Sequence, residues 1–274
     1  MNAGMHLSGA VSDSPAPRSA PTCSPRVVQE FAEWLVIEKP AFMQVHPSKP
    51  GDARTLWHHL SDLLAFERVN GGGISIINRL DRETSGLTLV AKTKAAARDL
   101  CRQMEARTIL KTYTALVFGW PEADAWEVNA PLLRQGIYRP SRIWLKQCIH
   151  PEGSPATTSF RTLARLKATD ETNARFALVQ ARPHTGRMHQ IRVHAASSGH
   201  PLVGDKIYGA DEGCYLEFIE TGWTASLETR LLLNRHALHA GGLTLEESGL
   251  TWESPLPNDI QQFMSRFQPS IACR

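Results

Sequence analysis

Apolar residues along the chain fall in short runs or alternate with polar ones, and only a few stretches repeat at helical spacing. Residues 34–38 and 42–45 read as strands on either side of Lys39-Pro40. Leu56, Leu60, Leu63 and Leu64 fall on one helical face and predict a helix over 56–64. Residues 73–77 and 87–91 are apolar and rich in β-branched types, as strands are. An Ala-, Arg- and Leu-rich stretch predicts a helix over 94–106. Alternation then predicts a strand over 109–117, with further strands over 126–133, 143–149, 158–166 and 174–181. From Arg187 to Ser198 the chain reads as a helix, which would place His189 and Arg192 on one face. A strand over 236–243 and a helix over 260–267 close the pattern. Strands outnumber helices and arrive in runs, so the expected class is α+β with a large mixed or antiparallel sheet, not a βαβ repeat.

Composition narrows this picture. The 274 residues suffice for one large or two small domains with a real core. Residues 1–28 are rich in Ser, Pro and Ala, carry few large apolar groups, and are expected to form a disordered leader. They lack the basic and apolar regions of a signal peptide, and no run in the chain is long enough to span a bilayer. The net charge of +3 is compatible with a nucleic-acid partner, but on charge alone an ordinary soluble enzyme is the favoured reading. The five cysteines are scattered with no C-x-x-C pair, which argues against a disulfide framework or zinc knuckle and for a reducing compartment. Gly71-Gly72-Gly73 is not followed by Gly-Lys-Ser/Thr and reads as a turn, not a phosphate loop.

Candidate chemistry concentrates between the strands over 73–77 and 87–91. There Asn78, Arg79, Leu80, Asp81, Arg82, Glu83, Thr84, Ser85 and Gly86 place a carboxylate between two arginines, ahead of a Ser-Gly turn. Asp81 is the first candidate for catalysis; the competing reading is a turn aspartate bonded to nearby backbone N–H groups. Asp81 and Glu83, two apart on an extended chain, also suggest a paired-carboxylate hydrolase. Retaining glycosidases hold such carboxyls about 5 Å apart across a sugar, from separate elements. His184, His189 and His194 recur at intervals of five, which does not set three ligands on one helical face, so no metal site is expected. Tyr113, in a strand, gains interest only if it faces Asp81.

Taken together, four ordered segments resemble the RluA-type RNA pseudouridine synthases. Arg79-Leu80-Asp81-x-x-Thr84-Ser85-Gly86-Leu87 is similar to that family's signature. Lys111-x-Tyr113-x-Ala115 resembles its tyrosine strand, and Thr185-Gly186-Arg187-x-His189-Gln190-Ile191-Arg192-Val193-His194 its third motif. Gly199 to Asp205, followed by Tyr208-Gly209, resembles the segment after it; Lys39-Pro40 and Leu238-His239-Ala240 also fit. The likeness runs from about residue 30 to 268. Asn78 stands where the family usually has His, and Met188 where it usually has Thr or Ser. No small basic RNA-binding domain is expected at the N-terminus.

The resemblance implies a pseudouridine-synthase core over 29–270: an α+β fold whose large mixed, mainly antiparallel sheet is flanked by helices and loops. It implies a cytoplasmic isomerase acting on structured ribosomal or transfer RNA, with no cofactor, no metal, no membrane association and no obligatory protein partner. Asp81 would be the catalytic carboxylate, Arg192 the cation beside it, and Tyr113 the aromatic that stacks on the target base and moves a proton. Arg79 would enter the RNA in place of the flipped base; Arg82, Arg187 and His189 would contact RNA; Asn78, Thr84, Ser85 and Gly86 would shape the loop. The alternatives are a non-catalytic RNA-binding paralogue, suggested by Asn78, and a carboxylate-dependent nucleoside or glycoside hydrolase.

Overall fold

The computed structural model describes residues 23–48, 53–168 and 173–272. Thirteen strands and eight helices lie in this described part. The described part begins with β1 (Arg26–Glu30), β2 (Trp34–Lys39), α1 (Leu56–Leu63), α2 (Ala65–Val69), β3 (Ser75–Ile76), β4 (Ser85–Ala91), α3 (Lys94–Ala106) and β5 (Ile109–Phe118). It continues with β6 (Ala125–Asn129), β7 (Leu132–Arg134), α4 (Gln135–Tyr138), β8 (Gln147–Ile149), β9 (Thr157–Ala168), β10 (Arg175–Pro183) and α5 (Gln190–Ser197). It ends with α6 (Gly213–Thr221), α7 (Ala225–Leu231), β11 (Leu238–Leu245), β12 (Leu250–Glu253), α8 (Asn258–Met264) and β13 (Phe267–Ala272).

Most strands join one sheet in the order β1-β2-β4-β11-β5-β10-β9-β13, with β3 paired to β4, β12 to β11 and β6 to β9. The β11–β4 pair is parallel and the other pairs are antiparallel, so the sheet is mixed and mainly antiparallel. Alternation in β2 and β4 sends successive side chains to opposite faces. Leu35, Ile37 and Val90 pack against Leu56, Leu60 and Leu64 of the α1 segment. Val36, Leu87 and Leu89 pack on the other face with Ala96 and Leu100 of α3. Each helix thus covers one face of the same strands. No helix among the described residues is long and apolar enough to cross a membrane.

Several boundaries differ from the sequence reading, for identifiable reasons. The leader expected over 1–28 ends sooner, because Arg26 to Val28 belong to β1, where Arg26 pairs with Glu38 across to β2; residues 1–22 lie outside the described part. The strand expected over 42–45 is a turn. Lys39 Nζ donates to the carbonyls of Pro40 and Met43 at 2.8 and 2.9 Å, and Phe42 sits at φ 64°, which draws these groups away from sheet pairing. The strand expected over 126–133 divides into β6 and β7, and that over 143–149 shortens to β8. The last helix ends at Met264, and β13 follows it, docked on β9. α6 and α7 were not anticipated.

Candidate active site

Asp81 lies in the loop between β3 and β4, which is clamped at both ends. Leu80 is buried in the central core beside Tyr113 and Leu238, so the neighbouring Asp81 is held close to that core. The Asn78 amide donates to the Leu87 carbonyl at 3.1 Å and accepts from the Leu89 N–H at 2.7 Å, which locks the loop's entry onto β4. Thr84 Oγ1 lies 2.7 Å from His236 Nε2, and Ser85 Oγ lies 3.0 Å from His239 Nδ1. Gly86 has φ +118°, and a Cβ there would meet the Ala240 carbonyl at 2.2 Å, so only glycine allows β11 this close. Lys39 Nζ reaches the Arg82 carbonyl at 3.3 Å from behind.

The Asp81 carboxylate opens on a cleft of about 730 Å³ whose walls include Arg79, Arg82, Lys111, Tyr113, Arg187, His189, Ile191, Arg192 and Leu238. Its side chain is 30% exposed, so the charge faces the cleft without being free in solvent. Arg192 Nη1 donates to Asp81 Oδ2 at 3.0 Å. The rest of that guanidinium forms a fork on Asp205, from Nε at 2.7 Å and Nη2 at 2.8 Å. Asp205 is fully buried and also accepts the N–H groups of Ile207 and Tyr208. Arg192 therefore has a fixed direction, and one of its remaining donors points at Asp81.

His189 is the second group at the carboxylate, with Nε2 3.8 Å from Asp81 Oδ2. The helix expected from Arg187 instead begins at Gln190, and His189 stands before it at φ 55°. Gln190 explains the delay: its Oε1 accepts from the Thr185 hydroxyl at 2.6 Å and from the Arg187 N–H at 3.0 Å, which holds 185–187 as a turn. His189 and Arg192 thus reach one carboxylate from a strained residue and a helix, not from a shared helical face. Tyr208 Oη lies 2.8 Å from His189 Nδ1 and accepts the Gln147 N–H at 2.8 Å. This arrangement directs the phenol proton to Nδ1 and leaves an N–H on Nε2, toward the carboxylate.

The electrostatics follow. Burial works to raise the Asp81 pKa, but His189 and Arg192, with His236 behind them, outweigh it and hold it at about 2. Burial, then Arg192, lowers His189 to about 4 against the pull of Asp81 and Asp205. At neutral pH the imidazole is therefore uncharged, and Arg192 is the standing cation. Burial, then the Asp81 charge, pushes the Tyr113 phenol above its ordinary value, so it holds its proton firmly. Burial lowers Lys39 to about 7, opposed by Asp81. Three converging carbonyls match the three donors of an ammonium, and on that ground we assign Lys39 as charged at neutrality.

The sequence candidates Asp81, Tyr113, Arg192, Arg79, Arg82, Arg187 and His189 all line this cleft, with Arg79 and Arg187 exposed. Asn78 and Thr84 line the cleft as well, and with Ser85 and Gly86 they bond or pack against β4, His236, His239 and β11. Glu83 does not join Asp81. Its carboxylate accepts from Lys206 Nζ at 2.9 and 3.0 Å and from the His236 N–H at 3.3 Å, which removes the hydrolase pair. His184 and His194 are likewise engaged elsewhere, with Ser159 and Thr158. The sequence reading missed the parts played by Asp205, Tyr208 and Lys39; each sat inside a quoted segment but had no visible partner.

A family profile described as RNA pseudouridylate synthase matches residues 33–197. The chain belongs to that family. Among its relatives is the ribosomal large subunit pseudouridine synthase D of Nitrosomonas europaea, 38% identical over 240 residues, covering 86% of this chain and 63% of that protein. The protein of the same name from Pseudomonas aeruginosa is 33% identical over 247 residues, covering 87% of this chain and 70% of that one. The chain thus spans roughly two thirds of these relatives' length. Of the solved structures, human RNA pseudouridylate synthase domain containing 1 superposes with a TM-score of 0.64 at 24% identity, covering 94% of this chain and 93% of that one; it shares the fold.

Proposed function

We propose that the protein isomerises uridine in structured RNA to pseudouridine, with Asp81 as the catalytic carboxylate. The observation that carries this reading is a carboxylate held ionised by Arg192 on the wall of a cleft that also holds the Tyr113 phenol. The reaction breaks the C1′–N1 bond, turns the base and joins C1′ to C5; the C5 hydrogen leaves and N1 gains a proton. It involves no redox change and no net hydrolysis, and so calls for no cofactor. A carboxylate suits it, because it can add to or stabilise an electron-poor sugar carbon and then depart.

Tyr113 would stack on the turned base and take part in a proton transfer; its raised pKa keeps the phenol protonated as a hydrogen-bond donor and makes it a weak acid. The target must leave its stack to reach Asp81, which costs a few kcal/mol and least in loops. Arg79, exposed beside Asp81, has a planar cation that can take the vacated place and bond phosphate at once. Arg82, Arg187 and His189 would hold the surrounding strand. The names of the relatives make large-subunit ribosomal RNA the first substrate to test and transfer RNA the second, with the cytoplasm as the compartment. The test is pseudouridine-specific mapping of total RNA from cells with and without the gene. A site lost on deletion and restored by wild type but not by Asp81→Asn supports the reading; a site restored by both removes Asp81 from its role.

A further inference from the structure

One segment beside the cleft carries chemistry that the proposed reaction does not use. Residues 134–150 run through the end of β7, α4 and β8 as an arm without a single Asp or Glu, but with Arg134, Arg139, Arg142 and Lys146. Lys146 is neutralised by Glu212, while Arg139 and Arg142 are exposed. The same arm shows Ile137, Tyr138 and Trp144 to solvent, at 63%, 59% and 72% exposure. The Arg134 guanidinium lies 3.7 Å from the Trp144 ring centroid and covers one face of the indole, which leaves the other open.

This arm is anchored and not a loose loop. Ile143, next to Trp144, is buried, and the Gln135 N–H donates to the Lys146 carbonyl at 2.8 Å. It also adjoins the site. Leu145 lines the cleft with Met188, and Gln147 Nε2 donates to Met188 Sδ at 3.5 Å. The Gln147 N–H holds Tyr208, which holds His189. Large apolar groups kept exposed on a rigid support mark a binding surface. Aromatic faces interleaved with unopposed cations fit unpaired nucleotides, whose bases stack while their phosphates are neutralised.

We propose that this arm is a docking surface for single-stranded RNA next to the target uridine, with the open face of Trp144 as its base-stacking platform and Arg134, Arg139 and Arg142 as its phosphate contacts. The inference deepens the pseudouridine synthase reading and rests on it for the position of the target. Anchorage of the strand here would bear on the Gln147–Tyr208–His189 chain that ends at Asp81.

The test is binding of a fluorescein-labelled twelve-nucleotide oligouridylate to wild type, Trp144→Ala and Trp144→Phe, with circular dichroism to verify folding. Pseudouridine formation is scored on total RNA with the same samples. Trp144→Ala is expected to weaken binding by about ten-fold, while Trp144→Phe, which keeps an aromatic face, stays within about three-fold of wild type. Unchanged affinity in folded Trp144→Ala overturns the proposal. So does loss of wild-type self-association in that variant with RNA binding intact, which would make the arm a protein interface. If wild type forms no pseudouridine yet binds the oligomer through Trp144, the platform stands and the reaction assigned to Asp81 fails.

Discussion

Asp81 and Arg192 form an ion pair that extends into the interior through Asp205. Replacing Arg192 by Met leaves Asp205 charged and fully buried with no cation, and strips Asp81 of its counter-ion. Removing one partner of such a buried pair costs about 3–5 kcal/mol, so Arg192→Met is expected to lower the urea midpoint sharply and to abolish turnover. A midpoint within error of wild type would show that Asp205 is not charged there. At the same scale, the histidine sets an acid response. His189 is held at about 4 against an ordinary 6.5, so the unfolded chain binds its proton first as pH falls. Stability is expected to drop by about 2 kcal/mol between pH 7 and pH 5 on this account, and His189→Gln to remove that part of the drop. Asp81, depressed to about 2, contributes stability above its ordinary 3.8 and loses it only as pH falls toward 2, a separate window. Denaturant curves at pH 7, 5 and 3 for both proteins separate the two. The residue types at the site were readable from the four motifs. The Asp205 fork and the Tyr208 link were not, because each joins groups from elements that only the fold brings together.

At the scale of elements, the loop that carries Asp81 is a product of its clamps. Asn78, where the family usually has His, bonds the backbone of β4 on both its donor and acceptor sides. Asn78→Ala leaves a buried C=O and N–H without partners, at a cost of about 1–3 kcal/mol, and is expected to loosen Asp81. A reduced kcat with RNA affinity retained would show this, and an unchanged stability and rate would contradict it. This role is met by an amide that cannot titrate, which takes away the ground for reading Asn78 as a mark of lost catalysis. Strong alternation and helical faces made β5, β9, β10, α1 and α3 legible. α6 and α7 escaped because each is short and buries one i, i+4 pair, Cys214 with Phe218 and Leu227 with Leu231, which become a core only against each other. The helix expected from Arg187 starts only at Gln190 because the Gln190 side chain holds the preceding turn, which apolar spacing does not record. β13 depends on the edge of β9, a non-local partner.

For the whole molecule, the sheet serves to bring distant segments to one cleft: the β3–β4 loop with Asp81, β5 with Tyr113, and α5 with Arg192. The mild net charge of +3 understates the cationic lining of that cleft, to which Arg79, Arg82, Lys111, Arg187 and Arg192 contribute. RNA binding is therefore expected to weaken steadily as salt rises, with counterions released for each neutralised phosphate. A flat response in log affinity against log salt would argue against a phosphate-bound substrate. The expected α+β class with a mixed, mainly antiparallel sheet held at this scale, since runs of strands leave few other arrangements. In the proposed reaction Asp81 exchanges the uridine's C1′–N1 bond for C1′–C5, and that exchange must expel the hydrogen at C5. The most direct measurement is release of tritium into water from RNA labelled at C5 of uridine, by purified wild type and Asp81→Asn. Wild type is expected to release tritium with no free uracil, and Asp81→Asn to release none; release by Asp81→Asn at the wild-type rate, or free uracil from wild type, would overturn the proposed role of Asp81.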